Sequence, residues 1–375
     1  MLALAGALMI ASPAAARDPG RWVDTGFSRF LVNYNQGITV DPSRNLYFDG
    51  ALLSFNGLFR TNDHLQQNAA MSPEIPAAVT ASDGFNHIGD LSWDPGEGGR
   101  ILLPLECFTP GGPNGGNTCG RGGFGVADPA TLGWRYYVRL DPADIPKAMW
   151  VETSPDGKLV WTSAGKDLLA YNAADINPAN AAPSGPVIKP VARLAGAVPP
   201  SGITGAAFTG GRLFLAGRSG KHFQIWSVDV SNGQKRLEIE RNWTGEAEGL
   251  AVFTGLGGLL HAQLVPEIGS VPTFGAGHGA LVHFAPAHTL KLRLTVSPRR
   301  AKVGKRTRFK FTVSFAGLGG RGPVKGATIK LAGRRAVTDR KGRARITRVL
   351  SHRGVFPVRA VKRGFKNGTA TVGAR

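Results

Sequence analysis

The amino-acid sequence predicts an all-β protein made of two parts that differ sharply in charge. Glycine supplies 52 of the 375 residues and is scattered rather than periodic, which indicates many tight turns between short strands. One turn pattern, flanked by alternating apolar residues, recurs five times in the first 288 residues. Residues 289–375 contain 25 lysines and arginines but one acid, a net charge of +24. The first 288 residues contain 20 basic and 24 acidic side chains, a net charge of −4, so the total of +20 describes neither part.

Each of the five repeats has a small residue, an alternating apolar run, a turn of Pro, Gly or Asp, and a second apolar run. They begin about 45 to 60 residues apart, at Gln36–Pro42, Gly89–Pro95, Trp150–Gly157, Gly205–Gly211 and Gly249–Gly255. Each repeat predicts two antiparallel strands around a tight turn and leaves room for two more strands. Four-stranded units at this period predict a β-propeller over residues 17–288, with five or six blades. Residues 22–32 could supply the strand that closes the ring, and a β-sandwich is the alternative.

The repeat pattern resembles secreted bacterial propellers of the NHL and gluconolactonase-like groups over residues 22–288. The gluconolactonase-like group places a metal-binding Glu before a Gly at the start of its first inner strand. Here that position carries Gln36 before Gly37, so the resemblance implies a weaker site for a cation. Glu248 before Gly249 restores the dipeptide in the last repeat, and it keeps a lactonase-like activity open as an alternative.

If the repeats are blades, the polar residues just ahead of the inner strands gather at one end of the central channel. We expect these residues to bind a ligand: Asn35, Gln36, His87, Asp90, Lys147, Thr204 and Glu248. His87 and Asp90 stand on either side of Gly89 at the mouth of one inner strand. Glu246 and Glu248 are two residues apart, so they lie on one face of another strand.

Three interpretations of this end of the central channel, the mouth, stay open. Glu248, Asp90 and Gln36 could hold calcium or another divalent ion, because carboxylate and amide oxygens suit hard cations. No cofactor is otherwise expected. The catalytic candidates are Glu246, Glu248, His87 and Asp90, which could act as an acid–base pair if burial raises the pKa of one carboxyl. A structural, hydrogen-bonded or water-filled channel requires neither role.

Two further features concern the compartment in which the protein works. Residues 1–16 form an apolar stretch that ends in Ala14-Ala15-Ala16, which predicts a secretory signal cleaved after Ala16. A buried N-terminal strand or helix is the alternative. The two cysteines, Cys107 and Cys119, flank a loop rich in Gly, Asn and Pro, and in an oxidising compartment we expect them to form a disulfide. No second apolar segment is long enough to span a membrane.

Residues 289–375 predict a second domain of seven short strands, which suits an immunoglobulin-like sandwich. The runs Pro323–Ala327 and Thr338–Ala344 resemble those of bacterial Ig-like and carboxypeptidase-regulatory-like domains of exported proteins. The resemblance covers roughly residues 290–372 and implies a spacer or adhesion module. It does not imply catalysis.

Basic residues alternate with apolar ones along these strands, so we expect one cationic face. Its candidate polyanion-binding residues are Arg293, Lys310, Lys330, Arg343, Arg345 and Arg359. An anionic cell-wall polymer or an acidic glycan is the expected partner. Nucleic acid is not expected, because few aromatic residues are available for stacking and no helix fits a groove. A soluble charged surface without a partner is the alternative.

The sequence therefore predicts a secreted or envelope-associated protein without a transmembrane anchor. In this interpretation the propeller binds a ligand or a protein partner, and the basic domain attaches it to the cell surface. The alternative is a metal-dependent hydrolase or lyase that acts at the mouth of the channel.

Overall fold

A computed structural model describes residues 21–31, 33–52, 55–109, 116–243, 245–266, 278–317 and 320–375. In these ranges the chain is mostly β-sheet, as the alternating pattern predicts. The predicted secretory signal at residues 1–16 lies outside the described residues. Within the described ranges, no helix has the length and apolar character that crossing a bilayer would require.

The first part of the chain forms successive antiparallel sheets. β1 (Trp22–Leu31) precedes the first of them, which contains β2 (Gly37–Val40), β3 (Leu46–Leu52), β4 (Phe55–Thr61) and β5 (Gln67–Met71). The helix α1 (Ala77–Asp83) leads into the second, with β6 (His87–Ile88), β7 (Ser92–Asp94), β8 (Arg100–Glu106), β9 (Gly123–Ala127) and β10 (Trp134–Arg139). The third contains β11 (Glu152–Thr153), β12 (Leu159–Ala164), β13 (Asp167–Asn172) and β14 (Ala192–Leu194). The fourth contains β15 (Gly202–Thr209), β16 (Arg212–Ser219), β17 (His222–Asp229) and β18 (Gln234–Asn242).

The fifth sheet joins the two ends of this part of the chain. It contains β19 (Glu246–Gly255), β20 (Gly258–Val265) and β21 (His278–Pro286), and β1 adds to β21 as the fourth strand. The pairing of β1 with β21 is antiparallel and runs from Trp22 opposite Pro286 to Leu31 opposite His278. The prediction that the segment beginning at Trp22 closes the ring is therefore confirmed for residues 22–31.

The innermost strands of the five sheets contact one another in a cycle. β2 contacts β7, β7 contacts β11, β11 contacts β15, β15 contacts β19, and β19 contacts β2. The sheets are thus arranged around one axis, and the all-β propeller predicted from the repeats is confirmed. Each repeat supplies an inner strand and the strand that follows it. Between β15 and β16 the turn has Gly210 and Gly211 at φ +57° and +74°, which explains why this repeat carries two glycines there.

The last part of the chain forms two sheets with a hydrophobic core between them. One contains β22 (Lys291–Ser297), β24 (Arg306–Gly317), β25 (Gly320–Pro323) and β28 (Arg343–Val349). The other contains β23 (Arg300–Ala301), β26 (Thr328–Leu331), β27 (Arg334–Val337), β29 (Gly354–Val361) and β30 (Gly368–Ala374). Along β22 every second residue is buried, as the alternation of basic and apolar residues requires. The buried set includes Phe309, Phe311 and Phe315 of β24.

The two parts of the chain share packing at their junction. A short 3₁₀ helix, Ala287–Thr289, connects β21 to β22. Ala285 and Ala287 are buried in the same cluster as the C-terminal core, and Val23 of β1 packs against it. No strand of residues 22–286 pairs with a strand of residues 291–374 among those described. The division at residue 288 remains a prediction with which this strand pairing agrees.

Candidate functional site

A buried aspartate lies on the axis of the propeller and joins the five sheets. The Oδ1 atom of Asp90 accepts a hydrogen bond from the backbone N–H of Ile38 at 2.9 Å. Its Oδ2 atom accepts from the N–H groups of Ala206 at 2.8 Å and Leu250 at 3.2 Å. The backbone N–H of Asp90 donates to Met149 O at 3.1 Å. Asp90, which lies between β6 and β7, is therefore bonded to inner strands of the first, fourth and fifth sheets and to the segment that precedes β11 of the third.

These bonds determine what Asp90 can do. Burial raises its pKa well above the usual range, although the three backbone N–H donors lower it. Both carboxyl oxygens already accept hydrogen bonds, and the residue is fully buried. In this arrangement Asp90 holds the inner strands together at the axis, and its predicted roles as a metal ligand or a catalytic group stay predictions.

Glycines surround Asp90 because the inner strands approach its carboxyl too closely for a side chain. A Cβ atom on Gly249 would lie 2.6 Å from Asp90 Oδ1 and 2.5 Å from Ile38 N. A Cβ atom on Gly37 would lie 2.7 Å from Asp90 Cα. The packing of the axis therefore requires glycine at positions 37 and 249.

The predicted mouth residues His87 and Lys147 meet at a carboxylate that the sequence did not single out. Glu106 at the end of β8 has Oε1 3.8 Å from His87 Nε2 and Oε2 3.9 Å from Lys147 Nζ. Burial lowers the pKa of His87 to about 4, with a contribution from the charge of Lys147. Burial raises the pKa of Glu106, and Lys147 opposes this shift. A neutral imidazole, a carboxyl of raised pKa and an ammonium group thus share one small region, which is suited to binding polar ligands.

Glu248 belongs to the same end of the channel. Burial raises its pKa well above the usual range, and the charges of Glu246 and Asp90 raise it further, followed by that of Glu106. Glu246 is exposed, while Glu248 is half-buried. The mouth therefore contains a carboxyl whose pKa is raised by its surroundings, which is the direction that the acid–base hypothesis requires.

Of the other predicted ligand-binding residues, two form hydrogen bonds with backbone groups and one is buried. Thr204 Oγ1 donates to the carbonyl oxygens of Ala247 and Glu248, so it ties β15 to β19. The backbone N–H of Gln36 donates to Asp49 O at 3.3 Å, and its side chain is half-buried. Asn35 is buried. Within the described residues, no group of three or more His, Cys, Asp or Glu side chains is placed to hold a metal ion. Metal binding by Glu248, Asp90 and Gln36 stays a prediction, because a glutamine is not one of these four residue types.

The predicted disulfide between Cys107 and Cys119 is confirmed. Cys107 directly follows Glu106, so the bond fixes the end of β8 at the mouth. A Cβ atom on Gly84, at the end of α1, would lie 3.2 Å from Cys107 Sγ, which shows how closely the helix packs on the bond. The part of the intervening loop at residues 110–115 lies outside the described residues.

At the other end of the channel lies a half-buried carboxyl that the sequence pattern did not indicate. Glu152 of β11 accepts from Phe208 N at 2.9 Å and from Ser92 Oγ at 3.0 Å. Burial raises its pKa to about 8. It lines a cavity of about 130 Å³ together with Thr39 and Ser92. Asp90 lies on the axis between this cavity and the mouth, so the channel is not an open pore.

The first sheet buries a pair of carboxyls. Asp49 of β3 and Glu74, which follows β5, are both almost fully buried, and none of their four carboxyl oxygens has a hydrogen-bond partner of ordinary geometry among the described residues. Burial and then the charge of Glu74 raise the pKa of Asp49 well above its usual range. Burial raises the pKa of Glu74 to about 8, while the backbone N–H groups of Gly50 and Gly57 lower it. The pair is therefore a source of pH-dependent stability.

We expect Glu74→Gln to be more stable than the wild type at pH 8 and equal to it near pH 4.5. The folded-state pKa is raised, so this carboxyl stabilises the fold only at low pH, and that stability is lost as the pH rises from about 4.5 to about 8. The difference in the free energy of unfolding at pH 8 should be on the order of 3 kcal/mol. Urea denaturation from pH 4.5 to 8.5 measures it, with the exposed Asp156→Asn as a control. A pH-independent difference would contradict the burial of a protonated Glu74.

The six predicted polyanion-binding residues are all exposed, but they do not share one face. Four lie on the sheet of β22, β24 and β28: Arg293, Lys310, Arg343 and Arg345. Lys330 of β26 and Arg359 of β29 lie on the other sheet. The expectation of a single cationic face is therefore wrong, because the strands alternate between two sheets whose inner faces form the common core. Both outer faces carry cations.

These cations are not neutralised by acidic side chains. Lys310 lies directly opposite Arg345, and Lys330 lies directly opposite Arg359. Asp339, the one acid of residues 289–375, accepts hydrogen bonds from the backbone N–H groups of Lys341 and Arg343. Among the described residues of this region, no ion pair is formed. Like charges opposite each other destabilise a sheet, so a bound anion would relieve this repulsion.

No known family profile matches the sequence, and no curated protein matches it significantly. Among solved structures the chain is similar to glutaminyl cyclase of Myxococcus xanthus, with 10% identity and a TM-score of 0.43 over 70% of this chain and 96% of that one. It is also similar to a luciferin-regenerating enzyme, with 10% identity and a TM-score of 0.38 over 69% and 95%. The Dos1 propeller gives 10% identity and 0.31 over 66% of each chain. The assignment of the propeller therefore depends on the sheet order and the cycle of inner strands described above.

Proposed function

We propose that the protein is an extracytoplasmic binding protein that attaches to an anionic cell-surface polymer through its C-terminal sheets. In this proposal the first part is a five-bladed propeller that presents a ligand or partner platform. The last part is an Ig-like sandwich that acts as the anchor. The observation that carries the proposal is the placing of cations opposite cations, Lys310 with Arg345 and Lys330 with Arg359, without acidic partners.

The charge distribution supports a polymer rather than a single small anion. The cationic side chains repeat along β22, β24 and β28 on one sheet, and along β26, β27 and β29 on the other. Such a field attracts an extended polyanion, and its strength depends on the ionic strength of the solution. Repeated exposed cations offer several weak contacts to a chain of phosphates or carboxylates, which together give useful affinity.

Replacing the cations tests this proposal in the full-length protein. We expect Lys310→Gln/Arg345→Gln and Lys330→Gln/Arg359→Gln each to weaken binding to long-chain inorganic polyphosphate about fivefold to tenfold at low salt, roughly 1 kcal/mol, since each removes two cations from one sheet. Titration by fluorescence anisotropy measures the dissociation constants. Lys158→Gln/Lys166→Gln removes two exposed charges from the propeller and is the matched control. Equal weakening by the control pair would show that the C-terminal sheets hold no special site.

An enzyme that acts at the mouth is the second candidate, and Glu248 is the observation that favours it. Its pKa is raised by burial and by nearby carboxylates, as a general acid requires. His87 and Glu106 are close enough to assist in binding a polar substrate. In such an enzyme Glu246, Glu248 and His87 would act, while Asp90 would hold the strands.

A further inference from the structure

A large cavity among the described residues lies where the propeller meets the C-terminal sheets. Its volume is about 710 Å³. The propeller side is formed by the start of β1, the turn between β15 and β16, and the start of β20. The other side includes the 3₁₀ helix Ala287–Thr289 and the turn at Arg363 and Gly364, between β29 and β30. A cavity of this size at a junction between two parts of a chain is of the kind that holds small ligands.

One wall of this junction cleft is apolar and aromatic. Trp22 and Phe214 pack edge to face with their ring centroids 5.6 Å apart, and both are largely buried. Leu259, Pro286 and Ala287 extend the wall. The partial exposure of these side chains into the cleft leaves apolar surface that a flat ligand body could cover.

The rest of the lining is strongly cationic. Four arginines and one glutamate contribute a net charge of +3, with His288 neutral: Arg21, Arg212, Arg236, Arg363 and Glu238. Arg212 donates to Ser227 Oγ at 3.1 Å and to Gln234 O at 2.7 Å, and Arg236 donates to Glu238 Oε1 at 2.6 Å. Arg21 and Arg363 are exposed, and their guanidinium groups form no ion pair with the described residues. These two, one from each part of the chain, are available to bind an anion.

A buried acceptor also lines the cleft. Glu238 has an exposed fraction of 1%, and its Oε1 atom accepts from Arg236 and from Ser227 Oγ. Its Oε2 atom has no hydrogen-bond partner among the described residues. A buried carboxylate oxygen without a donor is costly, so a ligand that supplies an N–H or O–H would stabilise it.

We propose that the junction cleft binds a small organic anion that has a flat apolar body and a hydroxyl or amine donor. The apolar body covers Trp22 and Phe214, the anionic group pairs with Arg21 and Arg363, and the donor group reaches Glu238. This site is separate from the outer faces of the C-terminal sheets, and it goes beyond the polymer binding proposed above. Because its two free arginines come from opposite sides of the junction, a bound ligand would also hold the two parts of the chain together.

Three related probes separate these contributions in the full-length protein. The first, 6-hydroxy-2-naphthoate, presents the flat apolar body, the anionic group and the donor. The second, 2-naphthoate, lacks the donor, and the third, methyl 6-hydroxy-2-naphthoate, lacks the charge. Isothermal titration calorimetry should show the hydroxy acid binding at least tenfold more tightly than its methyl ester, and more tightly than 2-naphthoate. Equal binding of acid and ester would overturn the anion site. Equal binding of the two acids would overturn the role of Glu238.

Variants locate the binding. Arg21→Gln/Arg363→Gln should weaken binding of the hydroxy acid at least tenfold and leave binding of its ester unchanged, because both side chains are exposed and form no ion pair among the described residues. Arg299→Gln/Arg353→Gln is the matched control, with two exposed arginines outside the cleft. Lys310→Gln/Arg345→Gln should also leave this binding unchanged, so its result distinguishes this site from the polymer-binding faces. An unchanged affinity in the Arg21/Arg363 variant, or no binding of any probe to the wild type, would overturn the proposal.

Discussion

Asp90→Ala is expected to lower the free energy of unfolding by about 4 kcal/mol or more. The substitution leaves the N–H groups of Ile38, Ala206 and Leu250 buried without an acceptor, and each such group costs about 1–3 kcal/mol. It also leaves a cavity on the axis where three inner strands meet. A loss of this size is a large fraction of the 5–15 kcal/mol typical of a folded domain. Urea denaturation followed by tryptophan fluorescence measures it.

Two further variants make this experiment decisive. Asp90→Asn keeps the volume but points an amide N–H₂ at backbone donors, so we expect it to be nearly as destabilising as alanine. Asp156→Asn changes an exposed aspartate in a turn of the third sheet and should cost less than about 0.5 kcal/mol. A wild-type-like Asp90→Asn would show that the axis does not depend on the carboxylate.

Arg100→Met is expected to lower the free energy of unfolding by about 3–5 kcal/mol, because it leaves the buried charge of Asp94 without a partner. Arg100 at the start of β8 has an exposed fraction of 2%, and its Nε lies 2.5 Å from Asp94 Oδ2, which is fully buried. The same guanidinium donates to Tyr136 Oη at 2.8 Å and to Ala173 O at 3.0 Å, so it also ties the second sheet to the third. Without this guanidinium, Asp94 loses its counter-charge, and the second and third sheets lose the hydrogen bonds that connect them.

The comparison with an exposed ion pair tests whether burial causes this loss. Arg135 and Asp128 form a pair at 2.6 Å with both side chains about 30% exposed, and Arg135→Met should cost about 1 kcal/mol or less. Arg100→Met/Asp94→Leu removes both charges and should recover part of the loss, because two buried charges are replaced by apolar groups. If Arg100→Met costs no more than Arg135→Met, the buried network does not stabilise the fold as described. Equilibrium urea denaturation measures all three variants.

Much of the fold could be predicted from the sequence because its repeats record local structure. Gly210 and Gly211 mark a tight turn, and the alternation in residues 291–297 marks a strand with one buried face. The closure by β1 was also predictable, because the last repeat lacked outer strands. The placement of the basic strands was not predictable, since alternation shows that Lys330 and Lys310 are exposed but does not show which sheet holds each strand.

The candidate site was predicted in its location but not in its chemistry. The sequence places His87, Lys147 and Glu248 at one end of the axis because they precede inner strands. It gives no signal that Asp90 would bind three backbone N–H groups, since that role depends on strands far apart in the chain. Glu106 was not predicted because it lies at the end of β8, and the prediction considered only residues that precede an inner strand.

Glu238 shows the limit of reasoning from a single strand. It lies in β18 among alternating charged residues, a pattern that predicts an exposed side chain, yet only 1% of it is exposed. It lies at a register shift between β17 and β18, and its Oε1 atom accepts a hydrogen bond from Ser227 Oγ of β17. The pairing of the two strands, which the sequence of β18 does not record, therefore decides where this buried acceptor lies.

In the proposed function, the C-terminal sheets attach the protein to an anionic polymer by their electrostatic field. The most direct test measures the dissociation constant of the full-length protein for long-chain polyphosphate between 50 and 400 mM salt. We predict a steep linear weakening of affinity on a logarithmic plot, with a slope that becomes shallower in Lys310→Gln/Arg345→Gln, because fewer counterions are released. Affinity that does not change with salt, or an unchanged slope in the variant, would contradict the claim.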